Sequence, residues 1–149
     1  MDLAMKSKLS EKLPSWALKP HPTKKGMTVI HPMAVIDRLN EVFGLGAWQF
    51  QTEYIAVNKE IQKTQRGDRE VYMSAVKGTL LVPGEFIHIE QFGGSTNDDM
   101  GDALKGGATD ALTKCASYLG IGASIYKGKG NINEGEEDEA PEEPDDFNL

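Results

Sequence analysis

Hydrophobic spacing divides the first 30 residues into a weak helix, an extended arm and a short strand. Leu3, Leu9 and Leu13 lie among lysines and predict a short helix over residues 3–13, which Pro14 ends. Residues 14–26 contain three prolines, Trp16 and three lysines. This composition predicts an extended basic arm without regular secondary structure. Residues 27–30 predict a short strand.

The next segment has the spacing of an amphipathic helix. His31-Pro32 favours a helix start, because proline at the first helical position gives up no donor that the helix needs. Gly44 is a typical stop. The apolar positions between them repeat with helical spacing and predict a helix over residues 32–43: Val35, Ile36, Leu39, Val42 and Phe43. Asp37, Arg38 and Glu41 are expected on its exposed face.

Alternating positions then predict three antiparallel strands. Trp48, Phe50, Thr52 and Tyr54 share one face of a strand that runs from Trp48 to Ile55. Residues 58–69 are polar and surround a Gly67-Asp68 turn. A second strand is expected over residues 70–82 and a third over 85–92, joined by a tight turn at Pro83-Gly84.

The last predicted element is a long helix that begins within residues 93–99 and ends at Gly120. Ser95, Thr96 or Asn97 can cap it, and Asp98 and Asp99 suit the positive helix N-terminus. Its apolar stripe includes small residues that permit close packing: Ala103, Gly107, Ala108, Ala111, Cys115 and Ala116, with Gly106 beside them. The order of elements predicts an α+β domain in which an antiparallel three-stranded sheet packs on a long helix, a β-β-β-α core.

Charge separates a body from a tail. The chain has 149 residues and a formal net charge of -7. Residues 1–130 hold all 16 basic residues and 14 acidic ones, a net of +2, whereas residues 131–149 hold 9 acids and no base. We therefore predict one folded domain over residues 1–130 and a disordered acidic tail over residues 131–149, since such a segment cannot bury enough apolar surface to order itself.

The end of the tail has two interpretations. An acidic stretch that finishes in a hydrophobe resembles the C-terminal hook of bacterial single-strand-binding proteins, which docks on partner proteins. The corresponding residues are Asp145, Asp146, Phe147 and Leu149. The alternative is a segment that only promotes solubility.

Candidate catalytic and metal chemistry is sparse. His21, His31 and His88 lack metal-ligand spacing, and Asp98, Asp99 and Asp102 are explained by a helix start. The sequence has no P-loop lysine motif. Cys115 lies on the apolar stripe and is expected in the core. We therefore expect no enzymatic activity and no cofactor. A single cysteine, the lack of a signal peptide and the lack of an apolar run of ~18 residues favour a cytoplasmic protein.

Basic side chains are the remaining candidates for function. They are expected on the second long helix and just beyond it, on the first long helix, on the hairpin and on the arm. The candidate DNA-binding residues are Lys114, Lys105, Arg38, Lys24, Lys25, Lys63, Arg66, Arg69, Lys127 and Lys129, and Lys59 also decorates the hairpin. Scattered lysines alone are more typical of a solvated surface.

Two segments resemble a known family. Residues 35–48 contain an Asn-Glu-Val-Phe-Gly run followed shortly by Trp48, and residues 103–120 contain Ala-Thr-Asp-Ala-Leu-Thr-Lys and end in Leu-Gly. Together with Gly93-Gly94-Ser95 between them, they resemble the Rad52/Rad22-type single-strand annealing proteins of recombinational repair, which have phage relatives. The resemblance covers residues 9 to 125, and a phage or bacterial source is expected.

The resemblance implies a ring of protomers that holds single-stranded DNA by its backbone in a basic groove and anneals complementary strands without ATP. It implies that Lys114 grips the backbone and that Lys105 serves DNA or solvent. The chain departs from the family pattern at Ala34, Thr113 and Ser117, where the family has basic residues. Arg38 is a candidate replacement for the first of these.

Two other functional classes compete with this interpretation. An interaction adaptor would use the sheet domain and the acidic tail to bind proteins and would not bind oligonucleotides. An enzyme with an unrecognised site is the least favoured class, because no paired catalytic groups are visible.

Overall fold

The computed structural model describes residues 1–128 and divides the chain into two compact units. Of the described residues, the first unit comprises 1–47 and 116–128, and the second comprises 48–115. No helix among the described residues is long and apolar enough to cross a membrane.

The first unit is built from helices and a two-stranded hairpin. Helix α1 spans Leu3–Ser10, and the Asp2 side chain caps it by accepting a hydrogen bond from Met5 N at 2.8 Å. A 3₁₀ turn over Ser15–Ala17 leads into β1 (Leu18–Pro20), which pairs antiparallel with β2 (Thr28–Ile30). Helix α2 spans Pro32–Phe43, as predicted, and the short helix α4 spans Ala123–Tyr126.

The prediction that residues 14–26 form an extended arm without regular secondary structure is wrong. Residues 14–26 contain the 3₁₀ turn and β1, where we expected no regular element. A three-residue strand has too little sequence to show an alternation, and its partner strand fixes it. The predicted strand over 27–30 is confirmed as β2. The buried apolar residues of this unit come from α1, the 3₁₀ turn, β2, α2 and the connecting segments, and they include Leu9, Leu13, Ala17, Ile30, Val35, Leu39 and Ile121.

The second unit is an antiparallel sheet of order β3-β4-β5 packed against α3, which confirms the predicted α+β fold. Strand β3 spans Gln49–Thr64, β4 spans Gly67–Val82 and β5 spans Ile87–Asn97. Helix α3 spans Met100–Ser117. The β3–β4 register shifts by one residue at Ile55, where a bulge lies between Tyr54 and Ala56.

Helix α3 approaches the sheet closely because glycines face each other across the contact. A Cβ atom on Gly93 of β5 would overlap the Gly107 carbonyl oxygen and the Ala111 nitrogen, both of them backbone atoms of α3. A Cβ atom on Gly107 would lie 2.7 Å from Ser74 Oγ and Val76 Cγ2. Ser74 Oγ also donates to the Ala103 carbonyl at 2.5 Å. The small-residue stripe therefore brings helix backbone onto sheet backbone.

The strands are longer than predicted, and the helix starts later. Residues 58–69 continue β3 and β4, and the turn lies at Gln65-Arg66 rather than at Gly67-Asp68. Gly93 to Asn97 belong to β5, so the predicted caps Ser95, Thr96 and Asn97 are wrong. Asp99 Oδ1 accepts from Asp102 N at 2.9 Å instead. Ladder pairing with β4 extends these strands through polar positions, which alternation alone cannot detect.

Candidate nucleic-acid interface

Lys114 is positioned by an aspartate that also binds the open edge of the sheet. Asp110 Oδ2 accepts from the backbone N–H of Gly94 on edge strand β5 at 2.9 Å, and Lys114 Nζ lies 3.2 Å from the same oxygen. The pair has the i, i+4 spacing that places two side chains together on one helix face. The Lys114 side chain is 20% exposed. This arrangement fixes its ammonium group at the junction of α3 and β5.

Lys105 occupies a different environment on the same helix. It is exposed and forms no ion pair with any residue in the described part of the chain. The nine-residue spacing places Lys105 and Lys114 about half a turn apart around α3. The structure therefore does not bring the two predicted helix lysines together on one face, and Lys105 is the more accessible of the two.

The tip of the β3–β4 hairpin carries the predicted cluster of basic residues. Every residue from Asn58 to Glu70 is exposed. Lys63 and Arg66 form no ion pair among residues 1–128, whereas Arg69 Nη2 lies 3.8 Å from Asp98 Oδ2. Lys59 Nζ lies 3.2 Å from Glu70 Oε2, and this hydrogen bond raises the pKa of Lys59. Exposed pairs of this kind are weak, so phosphate groups can compete for their cations.

In the first unit, Lys24 and Lys25 lie on the turn between β1 and β2. Both are exposed, and the turn is ordered by a histidine. His21 Nδ1 accepts from Thr23 N at 3.1 Å and from Lys24 N at 2.9 Å, and His21 N donates to the Met27 carbonyl at 2.8 Å. The two lysines therefore sit on a defined loop.

Arg38 does not lie on the exposed face of α2, so that expectation is wrong. Only 6% of Arg38 is exposed. Its Nη1 donates to the Lys8 carbonyl at 2.8 Å and to the Glu11 carbonyl at 2.7 Å, and Nη2 lies 3.4 Å from the Lys12 carbonyl. These carbonyls lie at and just beyond the end of α1, where helix carbonyls run out of intrahelical donors, and the Lys8 carbonyl also accepts from Glu11 N at 3.2 Å. The contacts give Arg38 a structural role, and its role in DNA binding stays a prediction.

The remaining predicted residues lie near or beyond the end of the described chain. Lys127 is exposed directly after α4. Lys129 lies outside the described residues, as do Asp145, Asp146, Phe147 and Leu149 of the tail. Their predicted roles stay predictions.

The described basic residues fall into two groups. In one group, cations are paired with carboxylates. Lys8, for example, lies 2.8 Å from Glu41 and 2.9 Å from Glu11, and hydrogen bonds to these two raise its pKa. The other group is exposed and, within residues 1–128, has no ion-pair partner. Its members are Lys6, Lys12, Lys19, Lys24, Lys25, Lys63, Arg66, Lys105 and Lys127. This second group, here named the unpaired cations, can bind phosphate without first breaking a salt bridge.

Other polar and sulfur groups have ordinary structural surroundings. Glu90 contacts His88 Nε2 at 3.3 Å and Lys77 Nζ at 3.4 Å, and these two partners lower its pKa. Cys115 is buried beneath the sheet, and burial raises the pKa of its thiol to about 11. Among the described residues, no group of three His, Cys, Asp or Glu side chains is arranged to hold a metal ion.

Asp110 is the residue whose local role sequence reasoning missed. The family-like segment contained it, but nothing in a linear pattern shows that a helix aspartate accepts a hydrogen bond from a strand 16 residues earlier. Two adjacent glycines at a sheet edge, facing a long helix that carries an aspartate, are the available signal.

The described chain thus combines an α+β fold with exposed cations that have no ion-pair partner within residues 1–128. A family model described as Rad52/22 family double-strand break repair protein matches residues 3–143. The chain therefore belongs to the Rad52/22 family, and the family supports a role in double-strand break repair and recombination. No curated protein matches the chain significantly.

Proposed function

We propose that the protein binds single-stranded DNA through its phosphate backbone and anneals complementary strands without ATP. The observation that carries this proposal is the set of unpaired cations, which occur in both units of a chain whose overall net charge is -7. Binding through phosphates is independent of sequence and leaves most bases available for pairing. Pairing of complementary strands supplies the free energy, so nucleotide hydrolysis is not required.

Annealing of two complementary oligonucleotides tests this function directly. The two strands are mixed with the protein at two salt concentrations without ATP, and duplex formation is followed by fluorescence. We expect acceleration that fades at the higher salt concentration, because each phosphate contact releases counterions. Absence of both binding and acceleration would contradict the proposal and favour the interaction adaptor.

We also propose that protomers assemble into a ring through the projecting part of the β3–β4 hairpin. Ile61 is 63% exposed and Tyr54 is 70% exposed, and Ile55 and Met73 are also exposed on these two strands. A hairpin without a covered face is marginally stable alone, so a second copy that packs on these side chains would stabilise it. Ile61→Ser should therefore shift the mass measured by sedimentation toward the monomer, while Phe86→Ser, at a turn residue 97% exposed, should not.

The acidic segment over residues 131–149 is proposed to compete with DNA for the unpaired cations and to recruit a protein partner. Its 9 acids have no base among them. Removing the segment should raise DNA affinity at low salt, and unchanged affinity would contradict the competition.

A further inference from the structure

Trp16 is an exposed aromatic residue in the most basic part of the chain. It lies in the 3₁₀ turn before β1 and is 57% exposed, whereas the adjacent Ala17 is 1% exposed. A single exposed apolar side chain is common and needs no explanation by itself. The fixed orientation of the Trp16 ring and the positive charge of the neighbouring segment distinguish it from such a residue.

The indole ring is held in a defined orientation. Its centroid lies 5.8 Å from that of the His31 ring, with an interplanar angle of 67°. His31 is itself fixed, because its N–H donates to the Ala17 carbonyl at 2.7 Å and its Nδ1 accepts from Met33 N at 3.1 Å. An oriented ring loses little conformational entropy when a second flat group stacks on it.

The charge around this ring has a single sign along the chain. Residues 12–36 contain no Asp or Glu and contain four lysines, Lys12, Lys19, Lys24 and Lys25. All four belong to the unpaired cations. Lys19 lies in β1, two residues beyond Ala17, and Lys24 and Lys25 lie on the turn that closes the β1–β2 hairpin. An exposed, oriented indole within an acid-free basic segment has both features of a single-strand binding site: a stacking surface and cations for the backbone.

We propose that Trp16 stacks on an unpaired base of single-stranded DNA whose phosphates contact Lys19, Lys24 and Lys25. The inference rests on the proposed function and adds a named anchoring site to it. Duplex DNA is excluded from this site because its bases are already stacked and their faces are covered. One stacked base for each protomer anchors the strand and leaves the neighbouring bases open for pairing.

Fluorescence of the full-length protein tests the stacking. The chain contains two tryptophans, so the difference between the wild type and Trp16→Phe isolates the Trp16 signal. An oligodeoxythymidylate and an abasic oligonucleotide of the same length carry the same phosphates, and only the first carries bases. We expect the Trp16 signal to be quenched by the oligodeoxythymidylate and to change little with the abasic strand.

Affinity for the same oligodeoxythymidylate, measured by anisotropy, gives a second test. Trp16→Ala should weaken binding by about 5- to 150-fold, the range expected for loss of one stacked base. Trp16→Phe should retain most of the affinity, because it keeps an aromatic face. The matched control is Phe86→Ala, which removes an exposed aromatic next to Glu85 and should leave affinity unchanged. Circular dichroism checks that each variant is folded.

The outcomes separate this inference from the proposed function. If the protein binds and anneals DNA but Trp16→Ala binds as the wild type does, the stacking site is wrong and the annealing function stands. Equal quenching by the base-bearing and abasic strands would also overturn it. A Trp16 signal that responds to salt alone and not to DNA would assign the ring to the chain's own acidic segment and overturn the proposal. Absence of all DNA binding would overturn both.

Discussion

The two long strands of the hairpin, β3 and β4, have very different surroundings along their length. In the near part, β4 residues from Ser74 to Val82 lie beneath α3, and alternate positions are buried, including Val76, Leu80 and Val82. In the far part, every residue from Asn58 to Glu70 is exposed. One hairpin thus combines a packed region that supports the fold with a charged, solvated region that is available for binding.

The difference follows from which residues the sequence places on each part. The near part faces Gly107, Ala111 and Cys115 of α3, small residues that let two backbones meet. The far part has cations and acids, and Ile61 is its single large apolar side chain. Stability and binding are therefore expected to respond to different substitutions. Four predictions test that separation.

Gly93→Ala should produce the largest loss of stability. Its Cβ atom would overlap two backbone atoms of α3, and no side-chain rotation can relieve that overlap. We expect the free energy of unfolding to fall by about 3 kcal/mol, at the upper end of typical overpacking costs. Denaturant unfolding measures it. Gly84→Ala is the control, since nothing lies within 4 Å of its added Cβ. Equal stability of the two variants would contradict the close packing.

Arg38→Met should produce the next largest loss of stability. Its comparison with Arg66→Met sets a buried arginine against an exposed one. The substitution leaves carbonyl groups at the end of α1 without the donors they now have. We expect a loss of about 2 kcal/mol in the free energy of unfolding. Arg66→Met, at the exposed hairpin tip, should change stability by less than about 0.5 kcal/mol. If Arg38→Met instead preserved stability and weakened DNA binding, the structural role would be wrong.

Cys115 provides a pH-dependent test of the packed part. Burial raises the pKa of its thiol to about 11 from an ordinary value of 9.0. The thiolate fraction in the native protein near neutral pH should be about a hundredfold lower than for an ordinary thiol, so alkylation should be correspondingly slow and should accelerate on unfolding.

The sign of the stability effect follows from the same pKa. A folded pKa above the unfolded value means that unfolding releases a proton at high pH. The contribution of the thiol is full below pH 9 and is lost as pH rises toward 11. Cys115→Ala should remove this part of the alkaline loss of stability. Rapid alkylation of the native protein would contradict the buried placement.

Sequence patterns predict the packed elements better than the exposed ones. The stripe from Val35 to Phe43 and the small residues of α3 are determined by burial, so their periodicity identifies both helices. The far part of the hairpin has no such periodicity because both of its faces meet solvent, and its strands are extended by ladder pairing alone. Arg38 was misplaced for a related reason: its partners are carbonyls more than 25 residues earlier in the chain, and carbonyl groups have no sequence signature.

The same reasoning explains what could be predicted of the candidate site. The identity of the basic residues is visible in the sequence, but which of them are paired depends on tertiary contacts. Lys63 and Lys59 are only four residues apart on β3, yet Lys59 contacts Glu70 across the ladder whereas Lys63 has no ion-pair partner within residues 1–128. A linear pattern cannot separate the two.

The smallest expected effect on stability comes from the far part. The double variant with Lys63→Gln and Arg66→Gln removes two of the unpaired cations, which form no ion pair within the described chain. We expect the free energy of unfolding to change by less than about 0.5 kcal/mol. In contrast, if both residues contact phosphate, the slope of log affinity for an oligodeoxythymidylate against log salt should fall by about 1.4, since each contact to a single strand contributes about 0.7.

Lys8→Gln is the control for this prediction because it also removes a cation, one that is half-buried and paired with carboxylates. The Lys8 ammonium is engaged by Glu41 and Glu11, so its loss should leave the salt slope unchanged. A reduced slope in the double variant with a normal slope in Lys8→Gln would show that freedom from ion pairing, rather than positive charge alone, selects the residues that meet DNA. Equal slopes in all three proteins would remove the hairpin tip from the interface while leaving α3 and the arm to be tested.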